Sequence, residues 1–283
     1  MLAAVSSKGP IAAVVFDWAG TIVDFGCFAP TVSIVETFAE RGIQITLAEA
    51  RGPMGLEKKE HLRRLLAQEG VRRQWRNATG SDPKATDAEA LYEDLEPRLF
   101  QAVKRHSGLV PGARELTAEL HASGIGIGSS TGYLRPLMDV VSHEAAAQGL
   151  TMDEVICPSD VPAGRPYPWM CFLNAMRLGA CPMSRVVKIG DTPADVQEGL
   201  NAGAWVIGVT LSGNEVGLSA SEAAEMDPAE RASRVRAAET RLRAAGAHYV
   251  TDSVATCREV LARIQERIAR GDQPSVERSY ERT

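Results

Sequence analysis

The chain has 283 residues, 45% hydrophobic and 24% charged, with a formal net charge of −5 at pH 7, the balance of a globular protein of one large or two smaller domains. The net acidity and an aromatic content of only 5% argue against nucleic-acid and anionic-membrane partners. Five widely spaced cysteines without a C-x-x-C pair (Cys27, Cys157, Cys171, Cys181 and Cys257) read as free thiols of a reducing cytoplasm, not as a disulfide framework or a zinc site.

The opening run MLAAVSSKGPIAAVVF lacks a basic start and ends at Asp17, so no signal peptide is expected. No apolar stretch approaches the roughly 20 residues of a membrane-spanning helix. Residues 11–16 (IAAVVF) predict a buried parallel strand. The next strand signal lies more than a hundred residues on. The interval reads as helical over 28–41, 46–51, 57–69, 71–77 and 87–105, with Thr46 and Asp87 as N-caps and Pro53 and Gly55 in a loop.

Further strands are predicted at 125–128, 154–157, 185–189 and 204–209, with a weaker one at 247–251. Helical patterns near 112–123, 133–148, 167–178 and 193–202 alternate with them. The Ala-, Glu- and Arg-rich stretch 212–245 reads as solvent-facing helix, and 271–283 as a flexible polar tail. The expected fold is therefore α/β: a Rossmann-like parallel sheet core (1–26 and 106–270) with an inserted all-helical cap domain (27–105).

Ligands of open α/β sheets bind beyond the carboxyl ends of the strands. Asp17 ends the first strand, and GDTPADV sets Asp191 directly after a later one, with Asp195 four residues on. Neighbouring parallel strands lie roughly 4.8 Å apart, so Asp17 and Asp191 can share a divalent cation, and all-oxygen ligation suits magnesium. GSSTGY offers the hydroxyls of Ser129, Ser130 and Thr131 and the backbone of Gly132 to anionic oxygens. Arg165 in AGRPYPWM adds a guanidinium that can orient a phosphoryl group. Any one of these is weak alone: a strand-end Asp is more often a turn or cap residue. Their order, each after a strand, resembles the haloacid dehalogenase-like superfamily over roughly 11–265, in which the first Asp attacks phosphorus.

Ala19 stands where most phosphatases of that superfamily have a second, acid–base Asp. The protein is then inactive, or uses another acid, or expels a leaving group that is not oxygen. A carbon leaving group needs an electron sink, which a lysine iminium supplies. The cap segment RGPMGLEKKEHLRRL offers Lys58 and Lys59, with His61 one turn from Lys58. Residue chemistry does not choose between the two lysines, and solvated surface charge is the plainer account of either.

FDWAGTIVDFGCFAP, GPMGLEKKEH, GSSTGY, DVPAGRPYPWMC and GDTPADV are together similar to the phosphonoacetaldehyde hydrolase family, the phosphonatase branch. The resemblance implies hydrolysis of the carbon–phosphorus bond of phosphonoacetaldehyde to acetaldehyde and phosphate, through a Schiff base on Lys58 and an aspartyl-phosphate on Asp17. It implies one Mg2+ per subunit held by the Asp17 carboxylate, the Ala19 carbonyl and Asp191, with Thr131, Gly132 and Arg165 holding the phosphonate. Met54, His61, Tyr133, Cys27 and Asp195 fall in or beside the same motifs as supporting residues. It also implies a cytoplasmic homodimer paired through cap helices, for which Val32, Val35 and Phe38 offer a face. A sugar-phosphate phosphatase or mutase would leave Ala19 and the cap lysine unexplained. A non-catalytic binding protein would leave unexplained the full set of Asp17, Thr131, Arg165 and Asp191.

Overall fold

A computed structural model of the chain describes residues 9–275. Six strands, β1 (Ala13–Phe16), β2 (Gly126–Ser130), β3 (Glu154–Ile156), β4 (Val186–Gly190), β5 (Trp205–Val209) and β6 (Tyr249–Thr251), form one parallel sheet in the order β3-β2-β1-β4-β5-β6. Both faces are covered at the centre of the sheet, which is why β1, β4 and β5 read as largely apolar runs, while the edge strands β3 and β6 are only partly buried. Val14 and Phe16 point to one face, against Leu116 and Leu120 of α6 (Ala113–Ala122), Val141 of α7 (Arg135–Ala147) and Leu261 and Ile264 of α12 (Cys257–Ala269). Ala13 and Val15 point to the other, against Cys171 and Ala175 of α8 (Trp169–Arg177). Val206 packs there with Val196 of α9 (Pro193–Asn201) and Leu242 of α11 (Pro228–Ala244). The chain leaves β1 between β2 and β4, so the strand order reverses at β1/β4, where a crevice opens.

Five helices lie between β1 and α6: α1 (Phe28–Glu40), α2 (Leu47–Arg51), α3 (Lys58–Ala67), α4 (Glu69–Thr79) and α5 (Ala85–Arg105). Their amphipathic faces meet in an interior of Ile34, Phe38, Leu62, Leu65, Trp75, Leu91, Leu95 and Leu99. That interior is continuous with the sheet's apolar face through Trp18, Ile22, Val23 and Val110. Phe38 is fully buried and Val35 packs against the same cluster, so the pairing face expected on α1 is reduced. Among the described residues no helix is long and apolar enough to cross a membrane. All five cysteines are free thiols.

Three local expectations are corrected. Asp87 is not the N-cap of α5: the helix starts two residues earlier, and the Asp87 carboxylate accepts the Lys84 N–H at 2.6 Å from inside the first turn. The stretch 212–245 is not one helix. Residues 212–219 form a loop with Ser212 and Asn214 buried, followed by α10 (Ala220–Glu225) and α11. Helix α12 follows β6 with no counterpart among the predicted elements. Of the tail expected at 271–283, residues 276–283 lie outside the described residues.

The two crossings between sheet and helical insert run side by side. Val110 N–H donates to Ile22 O (2.9 Å) and Asp24 N–H to Gly108 O (3.0 Å). The Asp24 carboxylate accepts the N–H groups of Phe28 (3.0 Å) and Ala29 (2.8 Å), capping α1, and His106 at the end of α5 lies 3.8 Å from it. Burial raises the Asp24 pKa from 3.8 to about 7, only partly offset by those two hydrogen bonds and by Arg51. Between those values the folded protein holds a proton that the unfolded chain has released. The contribution to stability therefore falls as pH rises through this window. Asp24→Asn should flatten that part of the Tm–pH curve. Subtracting the variant's curve from the parent's removes other titrating groups, His106 included, and a difference without slope between pH 4 and 7 would refute the assignment.

Candidate active site

The carboxyl ends of β1, β2 and β4 and the loop after β3 meet the N-terminus of α3 around a narrow cleft. Asp17, Ala19, Thr131, Gly132, Tyr133, Arg165, Asp191 and Thr192 line it from the sheet side, and Cys27, Pro30, Met54, Gly55 and Lys58 from the helical side. Ten of the twelve residues that the family resemblance assigns to the site therefore share one cleft; Asp195 and His61 lie outside its lining. The two walls touch closely. A Cβ on Gly55 (φ 88°) would overlap Thr192 Oγ1, and one on Gly132 would overlap the Leu56 carbonyl.

Asp17 follows β1, its N–H held by Ile189 O of β4 at 2.8 Å, so register alone sets it beside Asp191. Oxygens of Asp17, Asp191 and Asp195 lie within 4.8 Å of one another. Asp195 is already engaged. Its Oδ1 lies 3.0 Å from Arg165 Nη1 and 2.9 Å from Lys188 Nζ, and its Oδ2 accepts the Thr192 hydroxyl at 2.6 Å. Burial pushes its pKa up, but the two cations and the hydroxyl outweigh that and hold it below the carboxylate norm.

Asp191 differs. Its Oδ2 accepts the Asn214 N–H at 2.7 Å and its Oδ1 lies 3.3 Å from the Thr21 hydroxyl, with no side-chain cation within salt-bridge reach among the described residues. Burial first, then Asp17 and Asp195, drive its pKa well up. Burial and Asp195 also raise that of Asp17, against the opposing pull of Arg165 and Lys188. Two adjacent buried carboxylates that repel one another fit a hard divalent cation, which prefers such oxygens.

Lys58 is the first residue of α3, with Glu57 capping the helix by accepting the N–H groups of Lys59 (3.0 Å) and Glu60 (3.1 Å). The Lys58 side chain is 4% exposed, its Nζ 4.0 Å from Met54 Sδ and 5.0 Å from the Tyr133 ring centre. Burial pushes its pKa below the ordinary lysine value, and Arg165 acts the same way, while Asp17 and Glu57 pull in the opposite sense. Lys59 is half-buried, with its ammonium 5.4 Å over the Tyr92 ring. His61 is fully buried, and its Nε2 must donate to the Ala50 carbonyl 2.9 Å away. Burial and Lys58 lower the His61 pKa to about 3, so the ring stays neutral. Burial likewise raises the thiol pKa of Cys27 and the phenol pKa of Tyr133 well above their norms. Thr131 Oγ1 accepts the Tyr133 N–H at 3.1 Å, which fixes that loop.

Arg165 joins the two walls. Its Nη2 lies 2.7 Å from Asp17 Oδ1 and 2.6 Å from Ser130 O, its Nη1 3.3 Å from Gly55 O, and its Nε 2.9 Å from Glu198 Oε2. Sequence reading missed Glu198 and Lys188 beneath it, both fully buried. Lys188 Nζ lies 2.8 Å from Ser130 Oγ and 3.2 Å from Glu198 Oε2. Burial and Arg165 lower the Lys188 pKa, but Asp195, Glu198 and Asp17 outweigh them and hold the ammonium charged. The available signals were a lysine inside the apolar run VVKIG and a Glu one turn beyond Asp195 on the inward side of α9.

A family model described as haloacid dehalogenase-like hydrolase matches residues 11–203. A phosphonoacetaldehyde hydrolase of Nitratidesulfovibrio vulgaris is 51% identical over 266 residues, covering 94% of this chain and 95% of that protein. One from Bacillus cereus is 46% identical over 256 residues, covering 90% and 97%. The crystal structure of a phosphonoacetaldehyde hydrolase like protein from Oleispira antarctica superimposes with a TM-score of 0.92 at 39% identity, covering 97% of this chain and 99% of that one. Matched over most of its length by that family model and by these relatives, the chain belongs to the haloacid dehalogenase-like hydrolases and, within them, to the phosphonoacetaldehyde hydrolase family.

Proposed function

We propose that the protein hydrolyses the carbon–phosphorus bond of phosphonoacetaldehyde, giving acetaldehyde and inorganic phosphate. The observation that carries this reading is a buried lysine amine of depressed basicity, Lys58, in the same cleft as Asp17 and Arg165, where position 19 offers no acid. Such a site is made to hold an aldehyde at one end and a tetrahedral anion at the other.

In this account neutral Lys58 Nζ adds to the aldehyde carbon, and loss of water leaves an iminium. Thr131, the Gly132 amide and Arg165 hold the phosphonate oxygens, with Arg165 turning from Asp17 to the anion. The Asp17 carboxylate attacks phosphorus in line. The P–C electron pair moves to the iminium nitrogen, leaving an enamine on Lys58 and a phosphoryl group on Asp17. Protonation of the enamine carbon and hydrolysis of the imine return Lys58 and release acetaldehyde. Water then displaces phosphate from Asp17.

Asp17, the Ala19 carbonyl and Asp191 would hold Mg2+, which when bound supplies positive charge against the nucleophile and the phosphonate oxygens. Met54, Tyr133, Cys27 and His61 keep the amine dry and its surroundings neutral, which favours the unprotonated form of Lys58.

Phosphate release from phosphonoacetaldehyde with magnesium present tests the reading, with p-nitrophenyl phosphate as control. Rapid release from the phosphonate and little from the ester is expected. Release from the ester alone would overturn it in favour of a phosphatase.

A further inference from the structure

Beneath the cleft floor lies a compact arrangement of four buried charges. Arg165 and Lys188 face Asp195 and Glu198, and one oxygen of each acid bridges both cations. Asp195 Oδ1 is 3.0 Å from Arg165 Nη1 and 2.9 Å from Lys188 Nζ. Glu198 Oε2 is 2.9 Å from Arg165 Nε and 3.2 Å from Lys188 Nζ, and also accepts the Ser130 hydroxyl at 2.8 Å. Exposure of the four side chains is 1% or less.

Taking a lysine out of water in mid-strand carries a desolvation penalty, and an apolar residue of like size would commonly serve stability as well or better. Gly199 lets α9 pack closely over this part of the sheet: a Cβ there would stand 2.6 Å from Val206 Cγ2 and 2.9 Å from Lys188 Cβ. Stability alone is therefore a poor account of this lysine.

We propose that Lys188 and Glu198 are positioning residues that set the net charge and direction of Arg165 toward the phosphoryl group. The inference rests on the reading of Arg165 as a phosphonate-holding residue. The quartet is neutral as a whole. Glu198 holds Nε and Asp195 holds Nη1, so Nη2 is turned to the cleft, where it reaches Asp17. Without Lys188, two carboxylates would bear on one guanidinium, and the floor would repel a phosphate dianion. Without the Glu198 charge, the floor would hold an excess positive charge and retain phosphate too well, slowing product release. Lys188 touches no position open to substrate, so its effect is carried through Arg165.

The test is calorimetric titration of inorganic phosphate into the magnesium-loaded enzyme and two variants. Lys188→Met should weaken phosphate binding by about tenfold or more, the scale of losing one member of a buried charge pair. Glu198→Gln keeps an acceptor for Nε but removes the charge, so it should tighten phosphate binding and lower kcat more than KM. Opposite signs are the signature, because a purely structural role would weaken binding in both. Variants that move together, or that both match the parent, would overturn the role of the pair. A parent that takes up no phosphate would instead overturn the reading of Arg165, and this inference with it. Should Lys188→Met not fold, the double variant Lys188→Met/Glu198→Gln, which removes one charge of each sign, replaces it. It should bind phosphate within about threefold of the parent if the two charges compensate, and a tenfold loss there would overturn the proposal.

Discussion

Lys58→Arg is expected to lower phosphate release from phosphonoacetaldehyde by about three orders of magnitude or more, the scale seen when a covalent participant is lost. The guanidinium stays protonated and cannot add to a carbonyl, so no iminium forms and the departing carbon would carry full carbanion charge. Lys59→Arg should be mild, since that side chain is half-buried over Tyr92 outside the cleft lining. Borohydride added with substrate should fix the substrate's carbon to Lys58, located by mass spectrometry of a digest. An adduct on Lys59, or full turnover by Lys58→Arg, would refute the assignment.

The depressed basicity of Lys58 also gives the pH profile a sign. The reactive amine is the unprotonated form, which gains population as pH rises through its pKa. Because burial moves that pKa below the lysine norm, the acidic limb of kcat should fall at lower pH than an exposed lysine would impose.

Residue chemistry in the sequence left Lys58 and Lys59 equivalent, and only the family resemblance separated them. Geometry explains why. At a helix N-terminus, the face that turns inward depends on how the preceding loop docks, and here Gly55 and Leu56 dock against Thr192 and Gly132. Asp17 and Asp191 were legible because an Asp directly after a buried parallel strand has few places to go, and β1 and β4 are neighbours in register. The apolar runs located the central strands β1, β2, β4 and β5 because both faces of the sheet are buried there, so no alternation was needed to find them, while the partly buried edge strands β3 and β6 offer only short runs.

Illegible parts share a cause: they depend on contacts distant in sequence. Reading 212–245 as one solvent-facing helix averaged the Ala-, Glu- and Arg-rich α11 with a Gly-, Ser- and Asn-containing segment. That segment, 212–219, turns inward because Asn214 N–H bonds Asp191 and the Ser212 hydroxyl bonds Gly20 O at 2.9 Å. Lys188 lies inside the strand predicted at 185–189 and has no local signal of its own there. Its meaning appears only when α9 brings Asp195 and Glu198 over it, from one turn of a helix whose start Thr192 caps. Asp195 was expected only as a supporting residue, and which groups occupy its oxygens (Arg165, Lys188 and Thr192) was not readable from its spacing.

Asp191→Asn should separate catalysis from stability. A bound divalent cation contributes several kcal/mol of charge stabilisation in phosphoryl transfer, so loss of a ligand should cut magnesium-dependent turnover on the order of a thousandfold. In metal-free buffer near neutral pH the same change should raise Tm, by about 2 °C or more for a chain of this size. The reason is that Asp191 is buried beside Asp17 with no cation partner among the described residues, and burial and that neighbour raise its pKa. An acid whose folded pKa is raised stabilises the fold only at pH low enough to keep it protonated, and that contribution is lost as pH rises. Asparagine keeps an oxygen to accept the Asn214 N–H and carries no charge to repel Asp17. Added magnesium should then raise the Tm of the parent but not of the variant. Activity indifferent to both EDTA and the substitution would remove the metal from the mechanism. A lower Tm in EDTA would show instead that the carboxylate's bond to the 212–219 loop outweighs the repulsion from Asp17.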